Sequence, residues 1–279
     1  MQPPSFPAWD PATVEREYNN RLAVPEHPKF FERWERDSEF ARKSLSSRLD
    51  LAYGPDPRHR IDLFPAKNPR GTLIFIHGGY WRALDKRMFA WLAPSWVAAG
   101  VNVANVNYRL CPQVGLDDIT EDVLSATNLL MAQEFTQGPV VVSGHSAGGY
   151  QVAALFATPR DRLAFDPARI VGGVSISGLF ELEPLLHYSA NEDLRLDLDS
   201  ARRLSLLEAR RTITAPLVVA AGGAETSEFQ RQSLDFADAW SPQTRTSLIL
   251  PGLNHFSILD AFIERGQPLH RESLALLEK

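Results

Sequence analysis

"PVVVSGHSAGGY", residues 139–150, decides the fold. A β-branched run from Val140 to Val142 gives way to small residues, and from Ala147 to Ala157 the chain reads as a helix. Between the two stand Gly144, Ser146 and Gly148 in the pattern G-x-S-x-G. In a strand, tight turn, helix context, such a turn forces its serine into a strained backbone conformation. That is tolerable only if the residues two before and two after have no side chain to clash. The same turn lifts the hydroxyl above the strand end and sets it at a helix N-terminus, which favours developing negative charge. An N-cap serine is the plain alternative, but a cap needs no flanking glycines. Ser146 is the candidate nucleophile.

Outward from this turn, short apolar runs alternate with helical stretches. "TLIFIHGG" (72–79), "VNVANVNY" (101–108), "RIVGGVSISG" (169–178), "APLVVAAGG" (215–223) and "RTSLILPG" (245–252) read as strands. Helical spacing over 85–99, 117–134 and 147–157 separates several of them. Continuous apolar strands joined by helices predict a parallel sheet covered on both faces, a doubly wound α/β arrangement. Ahead of it, "SRLDLAYG" and "HRIDLFPA" alternate around "PDPR" and predict an antiparallel hairpin.

The whole chain, 1–279, is expected to form one domain, with residues 1–48 as an N-terminal helical extension. Over 11–46 the extension is charged and carries Phe30, Phe31, Trp34 and Phe40. It reads either as a surface helix packing these rings on the core or as a cap over a pocket. Nearly forty residues separate "SISG" from "APLVVAAGG", and a connection this long is usually functional, so residues 181–199 are candidates for the pocket wall.

With 44% hydrophobic and 23% charged residues, the composition is that of an ordinary globular protein. A net charge of −5 and a pI near 5.8 argue against nucleic acid as a partner. No run is long and apolar enough for a membrane span, and the N-terminus lacks a secretory pattern. The single Cys111 allows neither an internal disulfide nor a cysteine metal cluster. The expectation is a cytoplasmic protein with a small-molecule substrate, no cofactor and no metal, which leaves room for a homodimer.

A serine nucleophile needs oxyanion donors, a base and an acid. Ala147, following the serine, supplies one backbone N–H, and "HGGYW" (77–81) supplies the rest through Gly78 and Gly79, where no Cβ blocks the approach of backbone to substrate. Tyr80 and Trp81 then stand at the pocket mouth as substrate-binding rings, or else pack into the core. His77 reads as a residue that fixes this loop, and His145 as one packing behind the serine. Among seven histidines, His255 in "LPGLNHFS" follows the last strand and suits the base. Glu225, on a loop at a strand's carboxyl end, suits the acid, with Asp193, Asp197 and Asp199 as competitors.

Together these stretches resemble the α/β-hydrolase superfamily and, more closely, its arylformamidase (kynurenine formamidase) branch. "HGGYW", "NYRLCPQV" (107–114), "GHSAGG" (144–149), "SGLFELEPLL" (177–186), "ETSEFQRQS" (225–233) and "NHF" (254–256) carry the resemblance over about 180 residues. It implies the α/β-hydrolase fold, Ser146 as nucleophile, His255 as base, and Gly78 and Gly79 as the oxyanion loop. The family commonly has Asp where Glu225 precedes "TSEF", a mild chemical departure that bears on substrate identity. The expected reaction is hydrolysis of a small N-formyl or N-acyl arylamine through an acyl-enzyme. The alternatives are a carboxylesterase for small aryl or alkyl esters and a non-catalytic binding protein of the same fold.

Overall fold

The computed structural model describes residues 10–278. Eight strands form one sheet: β1 (Arg48–Ala52), β2 (Arg60–Phe64), β3 (Gly71–Ile76), β4 (Val101–Val106), β5 (Val140–His145), β6 (Ile170–Ile176), β7 (Leu217–Gly222) and β8 (Thr244–Leu250). Their order across the sheet is β1-β2-β4-β3-β5-β6-β7-β8. The β1/β2 and β2/β4 pairs are antiparallel and every other pair is parallel, so the expected hairpin adds two strands to a parallel sheet.

Helices cover both faces. The N-terminal segment is helical as expected but is broken into α1 (Pro11–Tyr18), α2 (Asn20–Ala23) and α3 (His27–Ser44). Asp10 caps α1 by accepting from the Thr13 N–H at 3.0 Å, and Asn19 caps α2 by accepting from the Leu22 N–H at 3.0 Å. The stretch read as a helix over 85–99 is a 3₁₀ segment, Lys86–Leu92, running into α4 (Ala93–Ala98), with Pro94 in the first turn of α4. Next come α5 (Leu116–Met131) and α6 (Ala147–Ala157). The long connection folds into the short helices α7 (Asn191–Leu194) and α8 (Leu198–Leu204), and α9 (Ser227–Ala239), α10 (Ile258–Ile263) and α11 (Pro268–Ala275) complete the chain.

Strand alternation divides the core. Ile74 and Ile76 of β3 join the cluster beneath α5, α6 and α9, whereas Leu73 and Phe75 join the one beneath α3, α4, α10 and α11. Helix α6 is buried along its first ten residues, as its mostly apolar sequence requires. Because the chain passes from β3 outward to β4 and returns to β5, the carboxyl ends of β3 and β5 flank the point where strand order reverses, and ligands of open α/β sheets gather at such a point.

The rings of α3 diverge. Trp34 is 1% exposed and stacks on Trp91 with centroids 5.8 Å apart, and Phe30 stacks on Phe256 at 5.8 Å. Phe40, expected with them, is 70% exposed, one position out of the buried stripe. Trp34→Ala should therefore cost about 3–5 kcal/mol and lower the melting temperature by roughly 10 °C. Phe40→Ala should stay within about 0.5 kcal/mol of wild type. Thermal denaturation of the two variants side by side makes the check.

Candidate active site

The turn after β5 is as tight as its glycines imply. Ser146 has φ 56° and ψ −120°, and its N–H donates to the Ile176 carbonyl at 2.8 Å. A Cβ on Gly148 would lie 2.0 Å from the Ile76 carbonyl oxygen, and one on Gly144 would lie 2.1 Å from that of Gly148, so neither position admits a side chain. Strain at Ser146, of order 1–3 kcal/mol, is held by this packing.

The loop after β3 runs close beside it. A Cβ on Gly78 would come 3.0 Å from the Ser146 Cβ, and one on Gly79, whose φ is 116°, would come 2.2 Å from the Ala83 carbonyl oxygen. Among the described residues, the N–H groups of Gly78, Gly79 and Ala147 donate to no acceptor of the chain. His77 lies beneath, stacked on Tyr108 at 4.3 Å, with its ring nitrogens 2.7 Å from the Gly78 carbonyl and 3.0 Å from Asn107 Oδ1. Arg58 fixes the far end of the loop by donating to the Leu84 carbonyl at 2.9 Å and to Asn107 Oδ1 at 3.1 Å. His77 thus sits where a loop-fixing residue would.

Glu225 and His255 meet at 2.7 Å, from Glu225 Oε2 to His255 Nδ1. The other carboxylate oxygen accepts from Ser177 Oγ and from the Gly222 N–H, both at 2.6 Å. The side chain is fully buried, and three donors hold it in one orientation. Phe229 packs edge-on against the His255 ring at 4.7 Å. His145 lies 4.7 Å from that ring, centroid to centroid, and its Nε2–H donates to the His255 carbonyl at 2.8 Å. The competing acids are engaged elsewhere or exposed: Asp193 pairs with Arg82 at 2.7 Å, Asp197 caps α8 through the Ser200 N–H at 2.8 Å, and Asp199 lies on the surface.

Ser146 and His255 line one cavity of about 640 Å³. Gly79, Tyr80 and Arg82 form one side, and Tyr188 and Asp193 of the long connection form another. The N-terminal extension contributes Asn20, Arg21, Phe31 and Trp34, so it both packs on the core and walls the pocket. Tyr80 faces this space, and its hydroxyl donates to the Tyr18 carbonyl at 2.7 Å. Trp81 does not. It is fully buried, edge-on to Tyr150 at 5.3 Å, because its φ of 56°, next to Tyr80 at 51°, turns the ring down into the sheet. The expectation of Trp81 at the pocket mouth gives way to its alternative, core packing.

The family described by the alpha/beta hydrolase fold matches residues 73–231, more than half of the chain. The chain belongs to this family. Within it, the hydrolase is similar to kynurenine formamidases. It is 26% identical to that of Salmo salar over 253 residues, 87% of this chain and 86% of the relative, and 26% identical to that of Drosophila melanogaster, covering 91% and 89%. Among solved structures it resembles a candidate thioesterase from Silicibacter sp., at 33% identity and a TM-score of 0.84 over 92% of this chain and 97% of that one. No helix among the described residues of this hydrolase is long and apolar enough to cross a membrane.

Sequence reading overlooked Ser177, which holds Glu225 from the end of β6 with φ 52°, although strand-end serines of this sheet were the signal to follow. It also gave no sign of Asn20 and Arg21, which lie in a one-turn helix without a motif.

Burial sets the charge state of two histidines. Desolvation lowers His77 to about 4 despite the Gly78 carbonyl, and lowers His145 well below its ordinary value, with the nearby His255 acting in the same direction. In the unfolded chain both titrate near 6.5. As pH falls below that value the unfolded state takes up protons that the folded state refuses, so stability is lost on acidification. For His77 the loss reaches about 2 kcal/mol at pH 5. Urea unfolding should give a lower midpoint at pH 5 than at pH 7, and the His77 and His145 ring resonances should remain those of neutral imidazole at pH 5.

Proposed function

We propose that this hydrolase is a serine enzyme that cleaves small N-formyl arylamines, with Ser146 as nucleophile, His255 as base and Glu225 as the acid that orients it. The observation that carries the reading is the 2.7 Å contact between Glu225 Oε2 and His255 Nδ1, opening on the cavity that Ser146 also lines. With Nδ1–H committed to the carboxylate, Nε2 is the free basic nitrogen.

In this mechanism His255 Nε2 takes the Ser146 proton as the serine oxygen bonds to the formyl carbon. The carbonyl π pair moves onto oxygen, and the N–H groups of Gly78, Gly79 and Ala147 receive the charge. When the carbon–nitrogen bond breaks, the imidazolium protonates the departing arylamine. Water then adds to the formyl-serine ester, losing its proton to His255, and the ester bond to Ser146 breaks to release formate and restore the hydroxyl. Glu225 stabilises the imidazolium in both halves.

The kynurenine formamidase relatives, aligned over most of their length, support the formamide class. The Silicibacter structure favours a second reading, an ester or thioester hydrolase using the same residues. On either reading, residues 10–278 act as one domain whose N-terminal extension closes the pocket, and the protein works in the cytoplasm without a cofactor.

Ser146→Ala should remove turnover by several orders of magnitude and abolish fluorophosphonate labelling. Glu225→Gln should lower kcat on the order of 10⁴-fold with little change in melting temperature. Labelling that survives in Ser146→Ala ends the serine reading.

Acyl length separates the two substrate classes. For one arylamine, kcat/KM should fall from formyl to acetyl to butyryl, each added methylene costing about 1–3 kcal/mol where the acyl side of the site is small. Values that rise with acyl length, or efficient hydrolysis of p-nitrophenyl esters without formamide cleavage, would promote the esterase.

A further inference from the structure

Ser146 and His255 reach the site from far apart in the chain, and one side chain bridges the segments that carry them. His145, the residue before the serine, ends β5 and is 3% exposed. Its Nε2–H donates to the His255 carbonyl at 2.8 Å, across 110 residues of sequence, and its ring lies 4.7 Å from the His255 ring. No backbone N–H of the described residues donates to that carbonyl, so the bond satisfies a buried acceptor that would otherwise carry a desolvation penalty. On its other side His145 meets the glycine loop: a Cβ on Gly78 would lie 3.3 Å from His145 Nδ1 and 2.8 Å from the His145 carbonyl oxygen. It touches both loops that face the serine.

The turn that carries His255 is closed upon itself. Asn254 Oδ1 accepts from the Phe256 and Ser257 N–H groups at 3.0 and 2.9 Å, and Ser257 Oγ accepts from the Asn254 N–H at 2.8 Å. A turn tied in this way moves as one piece. Glu225 holds the His255 ring through Nδ1 and fixes its rotation, but a bond at the ring leaves the backbone free to shift relative to β5. The Ala224 N–H donates to the Leu253 carbonyl at 3.0 Å, which ties the chain to the loop of the acid and not to β5. The His145 bond supplies that tie, because its donor belongs to the residue next to the nucleophile.

We propose that His145 is a positioning residue for the base, setting the height of the 254–257 turn over the end of β5 and with it the spacing of His255 from Ser146. The proposal rests on Ser146 and His255 acting as nucleophile and base, and it applies to amides and esters alike. A displacement of about 1 Å can cost roughly 10²-fold in rate, so the tie bears on turnover. A carbonyl can only accept, which commits the His145 proton to Nε2 and leaves Nδ1 a lone pair. Burial keeps this imidazole neutral, with His255 acting in the same direction. A neutral donor adds no repulsion when His255 takes up the serine proton, whereas a lysine or arginine in its place would.

Met and Gln share an unbranched stem of similar length, but only Gln carries an amide N–H to replace Nε2–H, so His145→Met and His145→Gln differ chiefly in the donor. With formanilide or p-nitrophenyl acetate as substrate, His145→Met should lower kcat by roughly 10²-fold with KM little changed, and His145→Gln should recover most of the loss. The rate of fluorophosphonate labelling, which also depends on the base, should follow kcat. Equal rates in the two variants, or a loss that lies in KM, overturn the proposal. Two readouts need no turnover. The His255 Nδ1–H proton shared with Glu225 should give a downfield resonance that His145→Gln keeps and His145→Met shifts or broadens, and an unchanged resonance in His145→Met overturns the proposal. In wild type, ring nitrogen shifts should show His145 as the Nε2–H tautomer, and the Nδ1–H tautomer overturns the proposal whether or not the variants fold. Labelling that survives in Ser146→Ala marks failure of the serine reading, while the resonance and the tautomer still report on the tie between His145 and His255.

Discussion

The backbone of the first turn of α6 lies against the carboxyl end of β3, where the Ile76 carbonyl oxygen stands 2.0 Å from the position a Gly148 Cβ would take. This contact excludes any side chain at residue 148 and sets how closely two loops from neighbouring strands approach. One loop carries Ser146, and the other carries Gly78 and Gly79, whose N–H groups find no acceptor among the described residues. Any side chain there would force helix and strand apart, and the strained serine would lose the packing that keeps it at φ 56°. Sheet order supplies the rest, because β3 and β5 are neighbours at the point where the topology turns.

Around that junction the pocket is assembled from distant parts of the sequence by polar ties more than by regular structure. Arg58, in the hairpin loop, holds the glycine loop through the Leu84 carbonyl and Asn107. The Arg82–Asp193 ion pair, about one-third exposed on each side, aligns the long connection but adds little stability in water. Ser177 and the Gly222 N–H fix one oxygen of Glu225, so the other meets His255 without rotational freedom. Position here is enforced by hydrogen bonds to charge, which are stronger and more directional than neutral ones.

Those two kinds of organisation explain what could be read in advance. The buried strands were legible because continuous apolar runs have few other solutions, and the helix over 147–157 followed from its small apolar residues. The elbow was legible because steric exclusion leaves glycines in the sequence, and His255 and Glu225 because each follows a strand at the sheet's carboxyl edge. Trp81 was not, since its ring direction depends on two successive positive φ values that Tyr80 and Trp81 give no sequence sign of adopting. The break of the N-terminal segment into three helices turned on Asn19 acting as a cap inside an apparently continuous charged run. Phe40 was grouped with its neighbouring aromatics, as core packing or as a cap, but ring type alone does not say which face of α3 a residue occupies, and this one is 70% exposed. Asn20 and Arg21 leave no pattern at all, because a cavity wall is defined by what lies across from it.

The Tyr18 hydroxyl donates to Glu228 Oε2 at 2.7 Å, across a separation of 210 residues. A growing chain leaves the ribosome from its N-terminal end, so α1 waits until almost the whole sheet has been made before its partner exists. Closing so long a loop is entropically expensive and is repaid only after the intervening strands are in register. Until then the aromatic face of α3 has no Phe256 to stack on and the pocket lacks a wall. Completion of the binding cavity thus waits for the last quarter of the chain, which supplies Glu228 and Phe256.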